Sequence, residues 1–170
     1  MKSLLLVIDL QKAFINQSTE KLPSKIEETI ASNQYDDVAF TRFINYEESL
    51  YVKKLNWRGC LSDEDKTIVL DTKGYQVFDK SIYSAVTKEL IEYMNNNQIT
   101  KIYLCGINTD CCVMKTALDL FELGYDIYVL ENLCGSTCGM ERHNQAIDIL
   151  KRNIGENHVN KVCFYCKIKE

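Results

Sequence analysis

Short apolar runs rich in β-branched and aromatic residues recur along the chain. They are LLLVID (4–9), DVAFTRF (37–43), YQVFDK (75–80), KIYLCGI (101–107), YDIYVLE (125–131) and KVCFYC (161–166). The segments between them mostly have apolar residues at helical spacing. Such alternation of strands and helices is typical of a parallel sheet with crossover helices. It predicts a three-layer α/β/α sandwich with a doubly wound, mostly parallel six-stranded sheet.

Two helices are predicted after the first and third of these strands. Ser24 is followed by Glu27 at capping-box spacing, which predicts that the first helix begins at Ser24. Its inward residues are Ile26 and Ile30. The second helix ends in the asparagine run 95–97, and its apolar face comprises Val86, Leu90, Tyr93 and Met94.

Two more helices are predicted after the fourth and fifth strands. The third begins near Asp110, taken as its N-cap, and stops at Gly124, which suits a left-handed C-terminal cap. Its expected buried residues are Val113, Ala117, Leu120 and Phe121. The fourth runs from Met140 to Arg152. Its expected inward residues are Ala146, Ile147 and Leu150.

Composition narrows the classes of function. The chain has 170 residues, 46% hydrophobic and 26% charged, with 7 Gly and 1 Pro, which fits a single domain over residues 1–170. Charges of both signs are interspersed, and the net charge is -4, which argues against a nucleic-acid partner. The apolar run 4–8 is too short for a signal-peptide core or a membrane span. We therefore expect a cytoplasmic protein without a membrane partner.

Eight cysteines are many for such a chain. A domain of this length and apolar content does not need disulfides, so we expect reduced thiols. A rival interpretation is a zinc or redox module built from Cys134, Cys138, Cys163 and Cys166. Residues three apart on a strand point to opposite faces, which disfavours chelation by Cys163 and Cys166. The zinc content of the purified protein discriminates the two interpretations.

Three chemically active residues follow predicted strands: Asp9, Lys80 and Cys112. In a doubly wound sheet these strand ends converge on one side. A position in the first turn of a helix lowers the pKa of a thiol, and a nearby ammonium stabilises the thiolate. A carboxylate can take the thiol proton and return it to a leaving amine. The pattern indicates a Cys-Asp-Lys hydrolase, with backbone N–H groups around Asn108 and Cys112 as candidate oxyanion donors.

Three ordered blocks resemble the isochorismatase-like cysteine hydrolases, a superfamily that includes nicotinamidases and N-carbamoylsarcosine amidases. VIDLQKAF resembles their Asp-x-Gln-x-x-Phe, FDKSIYSAV their Phe-x-Lys-x-x-Tyr-Ser-Ala, and GINTDCCVMKTALDLFELGY their Gly-(Val/Ile)-x-Thr-Asp-x-Cys-Val-x-x-Thr-Ala. ENLCGSTCGMERHNQAIDIL resembles the loop and helix that follow their fifth strand. The resemblance therefore runs from residue 3 to about 154.

The resemblance implies a role for each matching residue. Asp9 would be the general base, Lys80 the cation that stabilises the thiolate, and Cys112 the nucleophile. Relatives often have a cis peptide before the Thr-Asp pair, which implies a cis Ile107–Asn108 bond and oxyanion donors at Asn108 and Cys112. The reaction implied is hydrolysis of a small-molecule amide through a thioester. Homo-oligomers, a dimer or a tetramer, are also implied.

One departure from the superfamily concerns metal. Nicotinamidases carry an Asp-x-His and further histidines after strand two, whereas here FINYEESLYV follows Arg42, and His143 and His158 are the only histidines. Because the ligands for such an ion are missing, we expect neither a metal nor an organic cofactor. This favours small amides, ureas or carbamoyl compounds as substrates. The alternatives are an isochorismatase-type vinyl-ether hydrolase and a catalytically silent small-molecule-binding member.

The pocket wall is predicted from position. Residues 44–74 have no sustained period and lie where ligands of open parallel sheets bind, so part of the wall is expected there. Phe14, Trp57 and Tyr83, together with Cys111 at the variable position of the Cys pair, are the predicted substrate-binding residues. The alternative for Phe14, Trp57 and Tyr83 is that they pack in the hydrophobic core.

Three further residues match motif positions or neighbour them. Gln11 is expected to brace the first loop, and His143 is expected to make a structural hydrogen bond rather than act as a base. Arg42 has two open roles. It could bind an acidic group of the substrate, or it could pair with a neighbouring carboxylate such as Glu47 or Glu48.

Overall fold

The computed structural model describes residues 2–72 and 74–160, and its strands form one sheet. The strands are β1 Lys2–Ile8, β2 Asp37–Phe43, β3 Gln76–Lys80, β4 Ile99–Ile107, β5 Asp126–Gly135 and β6 Val159–Asn160. Their order is β3-β2-β1-β4-β5-β6, and all pairings are parallel. The predicted doubly wound, six-stranded sheet is confirmed. The predicted strand 161–166 lies outside the described residues.

Helices cover both faces of the sheet. They are α1 Leu22–Ala31, α2 Leu50–Leu55, α3 Asp63–Lys66, α4 Lys88–Asn96, α5 Met114–Glu122 and α6 Met140–Ile154. Alternate residues of β1 point to opposite faces: Leu4, Leu6 and Ile8 pack with α4, α5 and α6, while Leu5 and Val7 pack with α1. The three-layer sandwich is therefore confirmed. No helix in the described part of the chain is long and apolar enough to cross a membrane.

Helix α1 begins two residues earlier than the capping box predicted. Lys21 is its N-cap without a side-chain cap, and Pro23 lies in the first turn. Proline is accepted there because the first N–H groups of a helix have no intrahelical partner. The Ser24 hydroxyl, already inside the helix, donates to the Lys21 carbonyl at 3.2 Å. The predicted start at Ser24 was therefore wrong.

The start of the third predicted helix also differs. A π-helical turn, Thr109–Val113, precedes α5, and its N-cap is Asn108 rather than Asp110. The Val113 N–H donates to the Asn108 carbonyl at 3.1 Å, a wider turn than in an α-helix. Phe121 is 44% exposed, so its predicted burial was wrong. The residues of α5 that are buried are Thr116, Ala117 and Leu120.

The fourth predicted helix is confirmed, and the second is confirmed in part, since Val86 precedes α4 and Tyr93 is only partly buried. Helix α4 is capped by Thr87, whose side chain accepts from the Leu90 N–H, and it buries Leu90 and Met94. Helix α6 buries the three predicted inward residues Ala146, Ile147 and Leu150. Both helices lie on the face of the sheet that carries α5.

Strands β1 and β4 approach closely at their carboxyl ends. Gly106 has φ +117°, and a Cβ added there would lie 2.1 Å from the Ile8 backbone oxygen. Only glycine fits this combination of left-handed backbone and close approach. The contact brings the residues that follow the two strands, Asp9 and Asn108, to one edge of the sheet.

Residues 45–60 form a closed loop, called the 45–60 loop below. Its ends meet where the Asn45 N–H donates to the Cys60 carbonyl at 3.1 Å. The Asn45 side chain donates to Gly59 O at 2.9 Å and accepts from the Ser49 hydroxyl at 2.6 Å. Ser49 in turn caps α2. The loop is thus held by its own hydrogen bonds, as Ω-loops are.

Gln11 braces the first loop as predicted. Its side chain is fully buried and pairs with both backbone groups of Phe43: it accepts from the N–H at 2.7 Å and donates to the carbonyl at 3.0 Å. A further bond runs to the Lys66 carbonyl at 3.1 Å. One amide therefore fixes the loop after β1 to the end of β2 and to α3.

Candidate active site

A buried ion pair joins the ends of β1 and β3. The Lys80 Nζ lies 2.7 Å from the Asp9 Oδ2, and both side chains are fully buried. The Lys80 ammonium also donates to the carbonyls of Ile82 and Tyr83, at 3.0 and 3.1 Å. Buried charges are costly unless they are paired and hydrogen-bonded, and these contacts offset that cost for the pair.

Thr41 on the intervening strand β2 holds Asp9 in place. Its hydroxyl donates to the Asp9 Oδ1 at 2.6 Å and accepts from the Asp9 N–H at 3.1 Å. Asp9 has φ 46°, a left-handed backbone that L-residues rarely adopt. The two hydrogen bonds stabilise this strained conformation. Sequence reasoning missed Thr41, which lies within the strand pattern DVAFTRF.

Cys112 lies in the π-helical turn and is 5% exposed, where the charges of Asp9 and Lys80 both act on its thiol. Burial raises the pKa of Cys112 well above its usual range, the Asp9 charge raises it further, and the Lys80 ammonium opposes this. The expectation that the helix start lowers the pKa of this thiol was therefore wrong for the free protein. Cys112 is a neutral thiol beside a carboxylate that can accept its proton.

The turn that carries Cys112 begins at a cis peptide. The Ile107–Asn108 bond is cis, as the resemblance implied. The Asn108 side chain accepts from the Thr137 N–H at 2.7 Å, which fixes it to the loop after β5. Asn108 and Cys112 both line the cavity described next. That their N–H groups bind an oxyanion stays a prediction.

A cavity of about 550 Å³ opens above Cys112. The predicted pocket residues Phe14, Trp57, Tyr83 and Cys111 all lie along its wall, and their contact with a substrate stays a prediction. Sequence reasoning missed three further wall residues, Phe43, Tyr51 and Leu55. Tyr51, Leu55 and Trp57 belong to the 45–60 loop, so the first part of segment 44–74 forms wall as expected.

Aromatic rings make this wall stiff and apolar. Phe14 and Trp57 stack with centroids 5.8 Å apart, while Tyr51 meets Phe43 edge-on at 5.0 Å and Tyr83 at 5.1 Å. Burial raises the pKa of Tyr51 to about 12 and that of Tyr83 above its usual value, so both phenols are neutral. Among the residues that the structure describes, no Asp, Glu, Lys or Arg lines the cavity.

The comparisons with known proteins agree with this geometry. The Isochorismatase domain family model matches residues 3–159. The chain belongs to the isochorismatase family. A secreted isochorismatase effector of Phytophthora sojae is 29% identical over 142 residues, 82% of this chain and 65% of that protein. Isochorismatase family protein 2A of Dictyostelium discoideum is 43% identical over 58 residues, 33% of this chain and 29% of that protein. The matches therefore span less than two thirds of these relatives.

Solved structures share the fold of this isochorismatase-family chain. The nicotinamidase of Bacillus subtilis superposes with a TM-score of 0.80 at 23% identity, covering 95% of this chain and all of that one. The pyrazinamidase of Pyrococcus horikoshii, solved in complex with zinc, gives 0.83 at 22% identity, covering 96% of this chain and all of that one. At these identities the likeness concerns the fold.

The zinc of the Pyrococcus structure has no counterpart among residues 2–72 and 74–160. No three His, Cys, Asp or Glu side chains in these ranges lie close enough together to hold a metal ion. The cysteines described are free thiols. Of the rival four-cysteine set, Cys134 is buried in the core and Cys138 lines the cavity. Cys163 and Cys166 lie outside the described residues.

Two other predicted residues have structural partners. His143 Nδ1 lies 2.8 Å from the Thr109 hydroxyl, and burial lowers the pKa of His143, so the ring braces the π-helical turn as a neutral group. Arg42 makes two bonds to Asp79, at 2.7 and 2.9 Å. Asp79 is its neighbour in the β2–β3 register, which favours this pair over the suggested Glu47 or Glu48.

Proposed function

We propose that this isochorismatase-family chain hydrolyses a small neutral amide, or a related C–N bond, through a thioester on Cys112. The observation that carries the proposal is the buried Asp9–Lys80 ion pair, 2.7 Å between Oδ2 and Nζ, whose two charges both act on the buried Cys112 thiol. Cys112 lines the cavity, whereas Asp9 and Lys80 are fully buried outside its lining. Nucleophilic catalysis requires such a pairing of nucleophile and base.

Each step follows from this arrangement. The Cys112 sulfur attacks the carbonyl carbon as its proton moves to Asp9, and the tetrahedral oxyanion forms beside the N–H groups of Asn108 and Cys112. Asp9 then gives the proton to the leaving nitrogen, the C–N bond breaks, and a thioester remains. Water attacks the thioester after losing a proton to Asp9, which releases the acid and restores the thiol.

The role of Lys80 in this cycle is electrostatic. The pKa of Cys112 is raised in the free protein, so the thiolate that forms during attack needs a compensating cation. Once Asp9 is protonated and neutral, the Lys80 ammonium is the remaining buried charge beside the sulfur. It stabilises the transient thiolate, while Asp9 carries the proton between thiol and leaving group.

The cavity indicates the kind of substrate. Its wall has aromatic rings and neutral polar groups, and its volume of about 550 Å³ suits a small molecule. A substrate with a carboxylate or phosphate would find no cation along the described part of this wall. We therefore propose neutral amides whose acyl group is aromatic or branched aliphatic. The solved neighbours named nicotinamidase and pyrazinamidase make nicotinamide and pyrazinamide natural members of a first panel.

The test is ammonia release from a panel of primary amides: benzamide, isobutyramide, nicotinamide, pyrazinamide and the charged succinamate. We expect turnover of at least one neutral amide and none of succinamate. Cys112→Ala should reduce the rate by at least about a thousandfold, since the nucleophile is lost. Cys134→Ala, which removes a buried thiol outside the cavity, is the matched control and should retain turnover.

Two results would contradict the proposal. Equal turnover in wild type and Cys112→Ala would exclude a thioester route. Binding of panel amides without ammonia release would instead indicate a catalytically silent binding protein. A vinyl-ether hydrolase needs a proton donor but no nucleophile, so a buried thiol on which the Asp9 and Lys80 charges act favours amide chemistry.

A further inference from the structure

Three of the described thiols line the active-site cavity. Cys112 is the proposed nucleophile, and the proposed reaction has no use for the other two, Cys111 and Cys138. Cys138 is exposed, whereas Cys111 is partly buried. Thiols are otherwise buried away from this cavity in the described part of the chain, at Cys60, Cys105 and Cys134. Their position around one cavity therefore points to a chemical role for Cys111 and Cys138.

One residue fixes the relative position of the two unused thiols. The Cys111 N–H donates to the Asn108 carbonyl at 3.1 Å, and the N–H of Thr137, next to Cys138, donates to the Asn108 side chain at 2.7 Å. The Cys138 N–H is held in turn by the Ser136 hydroxyl at 3.1 Å. The two cysteines thus belong to different loops that are hydrogen-bonded to the same asparagine.

The Cys138 thiol also affects the pKa of Cys111. The pKa of Cys111 is raised to about 11, first by burial, then by the Asp110 charge and by Cys138. Such an effect weakens with distance, so it agrees with the position of both cysteines on one cavity wall. Both line the cavity, which places the pair beside the entrance to Cys112.

We propose that Cys111 and Cys138 form a reversible disulfide that closes the cavity above Cys112 when the protein meets a peroxide. The exposed Cys138 sulfur attacks one peroxide oxygen and becomes a sulfenic acid, with release of water. The Cys111 sulfur then displaces hydroxide from that sulfur, and its proton completes a second water. Two thiols and one hydrogen peroxide give one disulfide and two waters.

Cys138 is oxidised first because the three thiols differ in exposure. Peroxide reaches Cys138 first because Cys138 is exposed, whereas Cys112 is 5% exposed and held as a neutral thiol. Exposure is one of the two properties that set the susceptibility of a thiol to oxidation. The disulfide would also exclude further oxidant from Cys112, whose oxidation beyond the sulfenic acid is irreversible. A thiol reductant reopens the cavity.

The experiment needs no substrate, so its outcome does not depend on the proposed hydrolysis. The full chain is treated with hydrogen peroxide near neutral pH, free thiols are blocked with iodoacetamide, and the unreduced digest is analysed by mass spectrometry. We expect a Cys111–Cys138 linked peptide that disappears on reduction. Its formation should slow alkylation of Cys112 at least about tenfold, because access is lost.

Two variants make the result decisive. Cys138→Ser should abolish the linked peptide and leave Cys112 alkylation unchanged by peroxide. The double variant Cys163→Ser/Cys166→Ser removes the terminal thiols and should form the linked peptide as wild type does. A disulfide from Cys138 to Cys112 or to a terminal cysteine overturns the proposal. Conversion of Cys138 to sulfinic or sulfonic acid without any linkage also overturns it.

Discussion

Replacing Asp9 by asparagine should make the Cys112 thiol more reactive while it stops hydrolysis. The Asp9 charge is one of the causes that raise the pKa of Cys112, and the Lys80 ammonium acts in the opposite direction. Asp9→Asn removes the negative charge that raises the pKa of Cys112. The Lys80 ammonium, which lies 2.7 Å from Asp9 in the wild type, remains. The thiolate then has a buried cation as its neighbour, but no base is left to move the proton.

The size of the effect follows from Coulomb's law for a neighbouring unit charge. A unit charge about 4 Å away contributes about 4 kcal/mol at an effective dielectric constant of 20, which changes the thiolate population several-hundredfold. A less basic thiolate is a weaker nucleophile, and this offsets about half of the change on a logarithmic scale. We therefore expect alkylation of Cys112 near neutral pH to be at least about tenfold faster in the variant.

The assay is the rate of iodoacetamide modification of Cys112 as a function of pH, measured by mass spectrometry on native protein. The midpoint of the profile should move to lower pH in Asp9→Asn and to higher pH in Lys80→Met. Asp79→Asn is the matched control, because it removes an equal charge from the surface residue next to Lys80. Its profile should match that of wild type.

An unchanged or slower modification in folded Asp9→Asn would refute this account. It would mean that the carboxylate does not act on the thiol, and Asp9 could not then be the proton carrier. Since asparagine leaves the Lys80 ammonium without its ion pair, the variant should lose about 3 to 5 kcal/mol of stability. Its folding is therefore checked by circular dichroism before the rates are compared.

Two further predictions concern stability, and both are measured by urea unfolding. Gly106→Ala places a Cβ 2.1 Å from the Ile8 oxygen and should cost at least about 3 kcal/mol. Gly124→Ala meets nothing within 4 Å and should cost only the left-handed penalty of about 1 to 2 kcal/mol, so equal losses would contradict the close approach. Burial raises the pKa of Cys60 and of Cys134 to about 12. Both thiols therefore stabilise the fold fully below the unfolded pKa of about 8.5, and above it about 1.4 kcal/mol per thiol is lost with each pH unit. A urea midpoint that stays constant from pH 7 to about pH 10 under reducing conditions would contradict this prediction.

Much of the fold follows from local patterns. Strands β1 to β5 appear where the β-branched and aromatic runs predicted them, α6 buries the expected residues, and α4 buries Leu90 and Met94, because apolar periodicity and burial coincide in these elements. The wrong predictions lie where a single residue or turn has more effect on the backbone than the hydrophobic pattern. Pro23 moves the start of α1 ahead of Ser24. The π-helical turn replaces the Asp110 cap and is followed by a helix that leaves Phe121 exposed.

The candidate site was only partly accessible to sequence reasoning. Asp9, Lys80 and Cys112 could be placed together because the carboxyl ends of parallel strands converge. Thr41 was missed because a threonine inside a strand pattern gives no sign that its hydroxyl faces Asp9. The pKa of Cys112 was mispredicted because helix position was considered without burial and the Asp9 charge. The cytoplasmic location, the single domain over residues 1–170 and the homo-oligomer stay predictions.

In the proposed reaction, the closure of the 45–60 loop separates the selection of a substrate from the breaking of its bond. Asp9, Lys80 and Cys112 lie at the edge of the sheet. The 45–60 loop contributes aromatic rings to the cavity wall, and hydrogen bonds of the Asn45 side chain hold the shape of the loop. A replacement segment that keeps the Asn45–Cys60 closure should therefore be accepted without rebuilding the sheet, since longer surface loops cost little entropy. Descendants of this chain could acquire new substrates by exchanging one self-contained insert while inheriting the same reaction.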